Sequence, residues 1–298
     1  MPLNDWRLIS DQLKKKSTSS LKDWNHFIRP NLWGYGLAVY LIGILSGGFY
    51  YSSGLLVGAI VAILLCTASI TVNHYFDYKT DKKSKQIYRF PVAAGKIKKG
   101  TAAFFSLSTI FFSIFLSYVF LNNFSFYLVL FANFMIISYS SPPIRIKERA
   151  FLGIFWNGIG YGWVPYYLAL FISNQPITYF QHLLGLIPFL ISASGHILLQ
   201  VRDIKDDKKG SVVTTSTKFG AKKMKKVSGL MVLFSGLVMV YLILQNFLNY
   251  LAFFSIIFGI LVGLEHKRMK SDVTKSYRKL QILYIIGGLF FILSIIKF

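Results

Sequence analysis

Nine stretches of this chain run for 15 to 23 residues without one Asp, Glu, Lys or Arg. They cover residues 32–51, 55–76, 102–121, 126–141, 151–173, 180–200, 227–244, 250–264 and 280–296. A helix of about 20 residues crosses a hydrocarbon core of about 30 Å, and lipid leaves a backbone only its own hydrogen-bonding partners, which restricts spanning segments to helices and closed barrels. Nine such runs leave no amphipathic helices to cover them, so a soluble fold with buried helices is excluded. Only 15% of the 298 residues are charged and 54% are hydrophobic, against about 25% charged in a soluble domain. The expected fold is all-α: an integral membrane protein with nine transmembrane helices (residues 31–298) behind an N-terminal arm (residues 1–30).

The net charge of +22 suits a nucleic-acid binder when taken alone, but its placement says otherwise. The links at 52–54, 122–125, 174–178 and 245–249 are short and uncharged, whereas the arm and the other four links hold 32 of the 33 Lys and Arg residues. Under the positive-inside rule, the arm and the charged links face the cytoplasm. The charge is thus a topology signal and an attraction to anionic lipid headgroups, and nucleic acid is not expected as a partner. The first 20 residues of the arm are polar with no apolar core of their own and are not read as a signal peptide, but as a surface helix or loose chain. Cys66 is the single cysteine, which excludes an intrachain disulfide, a zinc site built on cysteines and Cys-x-x-Cys redox chemistry.

The 11 acidic residues are unevenly spent. Asp77 and Asp81 follow the second run, and Asp203, Asp206 and Asp207 follow the sixth. If each helix continues past the membrane surface, residues four apart share a face, which aligns Asn73, Asp77 and Asp81, and likewise Asp203 and Asp207. Two oxygen-rich faces on one side of the membrane suit hard cations, although neither stretch has the alternating acids of a calcium-binding EF-hand loop. Both lie in very basic links. Carboxylates mixed with cations fit a diphosphate bridged by Mg²⁺, which prefers a few carboxylates plus substrate phosphates. Lys and Arg hold the remaining phosphate oxygens. Under nine apolar helices, the expected diphosphate carries a hydrocarbon tail.

At these residues the sequence resembles the UbiA superfamily of intramembrane prenyltransferases. The family's Asn-Asp-x-x-Asp-x-x-x-Asp motif is matched by Asn73, Asp77 and Asp81, with His74 where the family usually has Asp. The stretch from Arg89 through Pro91 to Gly95 is similar to its Arg-Pro-x-x-x-Gly, with Phe90 inserted. Asp203 and Asp207, followed by Lys208 or Lys209, Gly210 and Thr214 or Thr215, look like the second acidic motif. Tyr139-Ser-Ser-Pro-Pro-Ile-Arg145-Ile-Lys147 looks like its Tyr-Ser-x-Pro-Pro-x-x-x-Lys.

The resemblance implies a helical bundle around a cavity open sideways to lipid. It implies that Asn73, Asp77, Asp81, Asp203 and Asp207 hold Mg²⁺, with Asp206 a further candidate, and that Asp77, Asp81, Asp203 and Asp207 are the catalytic acids. Asn73, Arg89, Tyr139, Arg145, Lys147 and Lys208 would bind the diphosphate. The implied reaction moves a prenyl group from an allylic prenyl diphosphate to a lipophilic acceptor, with no obligate protein partner, at the cytoplasmic side of the plasma membrane.

Polar residues within membrane spans usually face the bundle interior, which makes Asn157, His196 and Gln200 candidates for the acceptor side. No Lys or Arg lies within a run, Arg29 at the start of the first being the nearest, which favours a quinone-precursor, phenolic or isoprenoid acceptor over a benzoate. A glycerophosphate, tetrapyrrole or polyprenyl phosphate acceptor is the alternative. An ion-coupled transporter, the reading from another class, places ionisable residues near the bilayer midplane, and here every carboxylate stands outside the runs.

Overall fold

The computed structural model describes residues 19–48, 52–83, 87–209, 212–268 and 273–296, and among these there is no strand. The chain opens with α1 (Leu21–Ile28), started by a capping box in which Ser20 and Asp23 satisfy each other's backbone N–H. Arg29 ends it in the left-handed conformation (φ 50°) and Pro30 begins α2 (Asn31–Ser46). Next come α3 (Ser53–Phe76), the short α4 (Tyr78–Asp81), α5 (Lys99–Phe120) and α6 (Asn123–Ser140). A broken element follows: α7 (Leu152–Asn157), a π turn (Gly158–Trp163) and α8 (Val164–Ser173). The rest is α9 (Tyr179–Lys209), α10 (Thr215–Phe219), α11 (Ala221–Leu244), α12 (Ala252–Arg268) and α13 (Val273–Ile295).

Each of the nine apolar runs falls on one of these helical segments within the described residues. Five helices are long and apolar enough to cross a membrane by length and composition: α3, α5, α6, α11 and the first 27 residues of α9. The fifth run misses that length because the π turn divides it. The arm of residues 1–30 is not uniformly polar coil, since α1 buries Phe27 against Trp24, Phe105 and His74. Residues 1–18 of the arm lie outside the described residues.

The packing is that of helices in lipid, with small residues between helices and large ones outward. On α5, Ser106, Thr109, Ser113 and Ser117 are buried, while Phe104, Phe111, Phe115 and Tyr118 are exposed. The four buried hydroxyls donate to carbonyls of their own helix at 2.8 Å, so burying them strands no polar group. With its small face, α5 lies along α3, the most buried of the apolar helices apart from α9.

At Gly43, α2 meets α8, where a Cβ would stand 2.4 Å from the Tyr166 carbonyl oxygen and 2.8 Å from the Ala169 Cβ. The obstacle is backbone and cannot swing aside. Gly43→Ala is therefore expected to destabilise the protein by about 1–3 kcal/mol, read as a lowered Tm in detergent. Gly100→Ala, where a Cβ meets nothing within 4 Å, is expected to leave the Tm in place.

Candidate functional site

The α3 helix stops at Phe76, and Asp77 caps it with φ near −89°. The chain does not turn away: the Asp77 N–H donates to the Asn73 carbonyl (2.9 Å) and the Asp81 N–H donates to the Asp77 carbonyl (2.8 Å). The spacing of four between Asn73, Asp77 and Asp81 thus survives the helix end. Asp77 is only 6% exposed, and two cations from the loop after α6 reach it. Lys147 Nζ bonds Oδ2, and Arg145 donates to Oδ1 from 3.4 Å. Arg145 also forks onto Glu148, with Nε at 2.9 Å from Oε1. To do this Arg145 adopts φ 39°, a left-handed conformation that costs a non-glycine residue about 1–3 kcal/mol. The loop is wound so that its cations face α3.

One atom of the pair is left over. Asp81 Oδ2 is buried with no hydrogen-bond partner. Burial, and then the neighbouring Asp77 carboxylate, push the Asp81 carboxyl up to about 7, against the pull of Lys147 and Arg29. A buried oxygen without a donor, beside a second carboxylate, fits a bound cation. The donors are all oxygens, which suits Mg²⁺ rather than zinc. Among the described residues no three Asp, Glu, His or Cys side chains gather tightly enough to hold a metal, so Asp77 and Asp81 do not meet Asp203 and Asp207 in a single cluster.

The second acidic stretch lies on the end of α9. Asp203 is held by its neighbour Arg202 through two bonds of 2.7 Å. Asp207 accepts from the Thr214 hydroxyl at 3.4 Å, and Thr214 caps α10. The Tyr139 hydroxyl bonds His196 Nε2 at 3.1 Å. Gln200 meets the same nitrogen at 3.1 Å, and its oxygen accepts from the Ser216 N–H at 3.3 Å. Tyr139, His196, Gln200 and Ser216 thus form one hydrogen-bonded chain.

The remaining candidates divide. Arg89 is half-buried, at the end of the 3-10 turn Ile87–Arg89. Lys208 is exposed near the end of α9, and no ion pair joins it to the others among the described residues. Asn157 is half-buried where α7 passes into the π turn. The Asp206 side chain lies outside the described residues. His74, at the departure from the family motif, packs its ring against Phe27 and Phe90 with centroids 5.7 and 5.9 Å apart, and neither ring nitrogen has a hydrogen-bond partner.

Of two further residues beside the site, Arg29 is the cation that sequence reasoning placed nearest the first run, and Tyr161 escapes sequence reasoning. Arg29, between α1 and α2, sits in the field of Arg89, Asp81, Tyr161 and Arg202, and burial followed by Arg89 holds its guanidinium below the ordinary value. Tyr161 lies in the π turn and shares a 2.6 Å bond with Ser69. The alternation Gly158-x-Gly160-x-Gly162 signals that turn: a Cβ on Gly162 would lie 2.6 Å from the Phe189 Cα, and π turns recur at functional sites.

Comparison with known proteins gives a consistent picture. A family model described as the UbiA prenyltransferase family matches residues 31–295. The chain is 26% identical over 226 residues to the digeranylgeranylglyceryl phosphate synthase of Methanosphaera stadtmanae, covering 76% of this chain and 77% of that protein. Among solved structures, a UbiA homolog from Archaeoglobus fulgidus bound to GPP and Mg²⁺ superposes with a TM-score of 0.74 at 18% identity, covering 92% of this chain and 99% of the other. A structure of a digeranylgeranylglyceryl phosphate synthase gives 0.69 at 21% identity, covering 93% and 99%. The fold is shared with both.

The Asp77–Lys147 pair is testable in metal-free protein. Asp77→Asn and Lys147→Met are each expected to lower the Tm, because each strands one buried charge. The double variant is expected to recover part of the loss, giving a coupling of about 1 kcal/mol or more in a double-mutant cycle.

Proposed function

The chain belongs to the UbiA prenyltransferase family and is an intramembrane, Mg²⁺-dependent transferase of prenyl groups; we propose that its diphosphate site is formed by Asn73, Asp77, Asp81, Asp203 and Asp207 with Arg145, Lys147 and Tyr139. The buried Asp81 oxygen without a donor, beside Asp77, carries this reading. Those five Asn and Asp residues would hold Mg²⁺, which supplies charge to the leaving diphosphate. The charge distribution supports nine crossings with the N-terminus and the charged links in the cytoplasm, and the proposed location is the plasma membrane.

The chain's own residues do the rest. In the ligand-free arrangement Lys147 and Arg145 neutralise Asp77. When the prenyl diphosphate arrives, they exchange that carboxylate for phosphate oxygens, Arg145 with its planar fork and Lys147 as a point charge. The allylic C–O bond breaks and its electron pair leaves with the diphosphate, on which preorganised positive charge acts most strongly in the transition state. Tyr139, fixed by His196 and Gln200, turns its phenol oxygen and ring toward the allylic cation. The acceptor's nucleophilic atom bonds that carbon and gives up its proton to water at the rim. The name of the Methanosphaera relative supports a glycerophosphate lipid as acceptor. A transporter reading finds no support, since every carboxylate stands outside the apolar runs.

The test is diphosphate release by the purified protein in lipid nanodiscs, with geranyl, farnesyl and geranylgeranyl diphosphates, with and without Mg²⁺. Release that needs Mg²⁺ and yields a prenylated lipid is expected. Asp77→Asn and Asp207→Asn are each expected to cut it by about 100-fold or more. Wild-type rates from both variants would remove these residues from the site.

A further inference from the structure

Two departures from the family's motifs remain unexplained by the diphosphate site. Position 74 loses a carboxylate to histidine, and the Arg89-to-Gly95 stretch gains Phe90. They belong to different motifs, yet the two rings touch, edge to face, with centroids 5.9 Å apart. His74 also meets Phe27 of α1 at 5.7 Å, and it is 2% exposed. Neither ring nitrogen has a hydrogen-bond partner, so what the imidazole supplies here is its ring.

That ring completes a seat for α1. Phe27 is fully buried among Val92, Ile97 and Ala102, with Trp24 and Phe105 at the edge of the cluster. The His26 ring nitrogen meets the Tyr88 carbonyl at 3.2 Å, a second tie to the same loop. Helices shorter than about 12 residues do not hold themselves in water. With 8 residues, α1 takes its place from these contacts. Arg29 follows directly, as the left-handed cap of α1, so the seat of α1 sets the position of Arg29.

The charges on this wall explain why the seat is neutral. The Arg29 guanidinium carbon lies 5.8 Å from the Phe90 centroid, and Nε donates to the His26 carbonyl at 3.4 Å. Among the described residues no carboxylate forms an ion pair with Arg29, although Asp81 acts on it through space. The charged groups whose fields reach His74 are Arg29 and His26. A wall of basic groups is a poor place for a divalent cation, and Mg²⁺ prefers oxygen to imidazole. An aspartate at 74 would be a buried carboxylate in need of a partner, and Arg29 is the cation at hand. The histidine leaves that guanidinium uncaptured.

We propose that His74 is a positioning residue and not a metal ligand: with the inserted Phe90 it forms a neutral aromatic seat for α1, which holds Arg29 beside Asp81 with its charge available to the diphosphate. The role of Arg29 rests on the diphosphate site proposed above, and the seat rests on the packing alone.

The experiment separates the two. In metal-free, full-length protein, Phe27→Ala and His74→Ala are each expected to lower the Tm, and the double variant to lower it by less than the sum, because one contact is lost twice. Additive losses would overturn the seat. Binding is then measured in phosphatidylcholine nanodiscs, with Mn²⁺ standing in for Mg²⁺ and followed by electron paramagnetic resonance, and with inorganic pyrophosphate as the anion. His74→Phe keeps a ring and cannot ligate; it is expected to bind both within about twofold of wild type. His74→Asp is expected to bind Mn²⁺ no more tightly and pyrophosphate about tenfold or more weakly, the weight of one charge-assisted contact. Arg29→Gln is expected to show the same loss, and His74→Asp/Arg29→Gln no further loss. Phe90→Leu repeats the test if His74→Asp does not fold, with pyrophosphate weakened and Mn²⁺ unchanged. A loss of Mn²⁺ affinity of about tenfold in His74→Phe, against the ordinary weight of a ligand, would make His74 a ligand and overturn the proposal. Wild-type pyrophosphate affinity in His74→Asp, or additive losses in the double variant, would overturn the role of Arg29. Wild-type protein that binds neither probe would overturn the diphosphate site and the role of Arg29 with it, while the Tm cycle still decides the seat.

Discussion

A carboxylate taken out of water needs positive charge close by, and Asp77 is the place where this chain meets that need. It stands at the end of α3, 6% exposed, with its helix's carbonyls behind it. Two cations come from the loop after α6, and their reach sets the shape of that loop: Arg145 accepts a left-handed backbone and is tied down by Glu148. Asp81, one turn on, shares the burial and lacks a donor for one oxygen. Asp77 is thus balanced by two cations, whereas Asp81 keeps an oxygen without a donor. The proposed diphosphate site would use both features, a divalent cation at Asp81 and Lys147 and Arg145 turned from Asp77 to phosphate.

The apolar helices make such a site affordable by keeping polar groups either self-satisfied or at the ends. Hydroxyls on α5 bond back to their own helix, and large side chains turn outward. Irregular backbone appears near the chemistry: the end of α3 at Asp77, the left-handed Arg29 and Arg145, and the π turn that carries Tyr161. In lipid, freed backbone groups are tolerated where protein or a cavity re-satisfies them. Breaks in these helices therefore mark the interior.

Periodicity and charge made much of this readable in advance. Runs without charge gave the helices, and the acids at 73–81 and 203–207 gave the rim, because both signals are local and repeat at helical spacing. What stayed hidden depends on tertiary neighbours. Arg29 stood out as the cation nearest the first run, but its neighbours Asp81 and Arg89 come from the folded chain. His74 fell on a motif position, yet its ring packs against Phe27 of α1 and Phe90, which no spacing encodes. The chain Tyr139–His196–Gln200–Ser216 joins α6, α9 and α10, of which sequence reasoning supplied the first three members and not their connection. Glycines were the most ambiguous signal. Gly43 and Gly229 read alike in the sequence, and one closes a helix contact while the other faces open space.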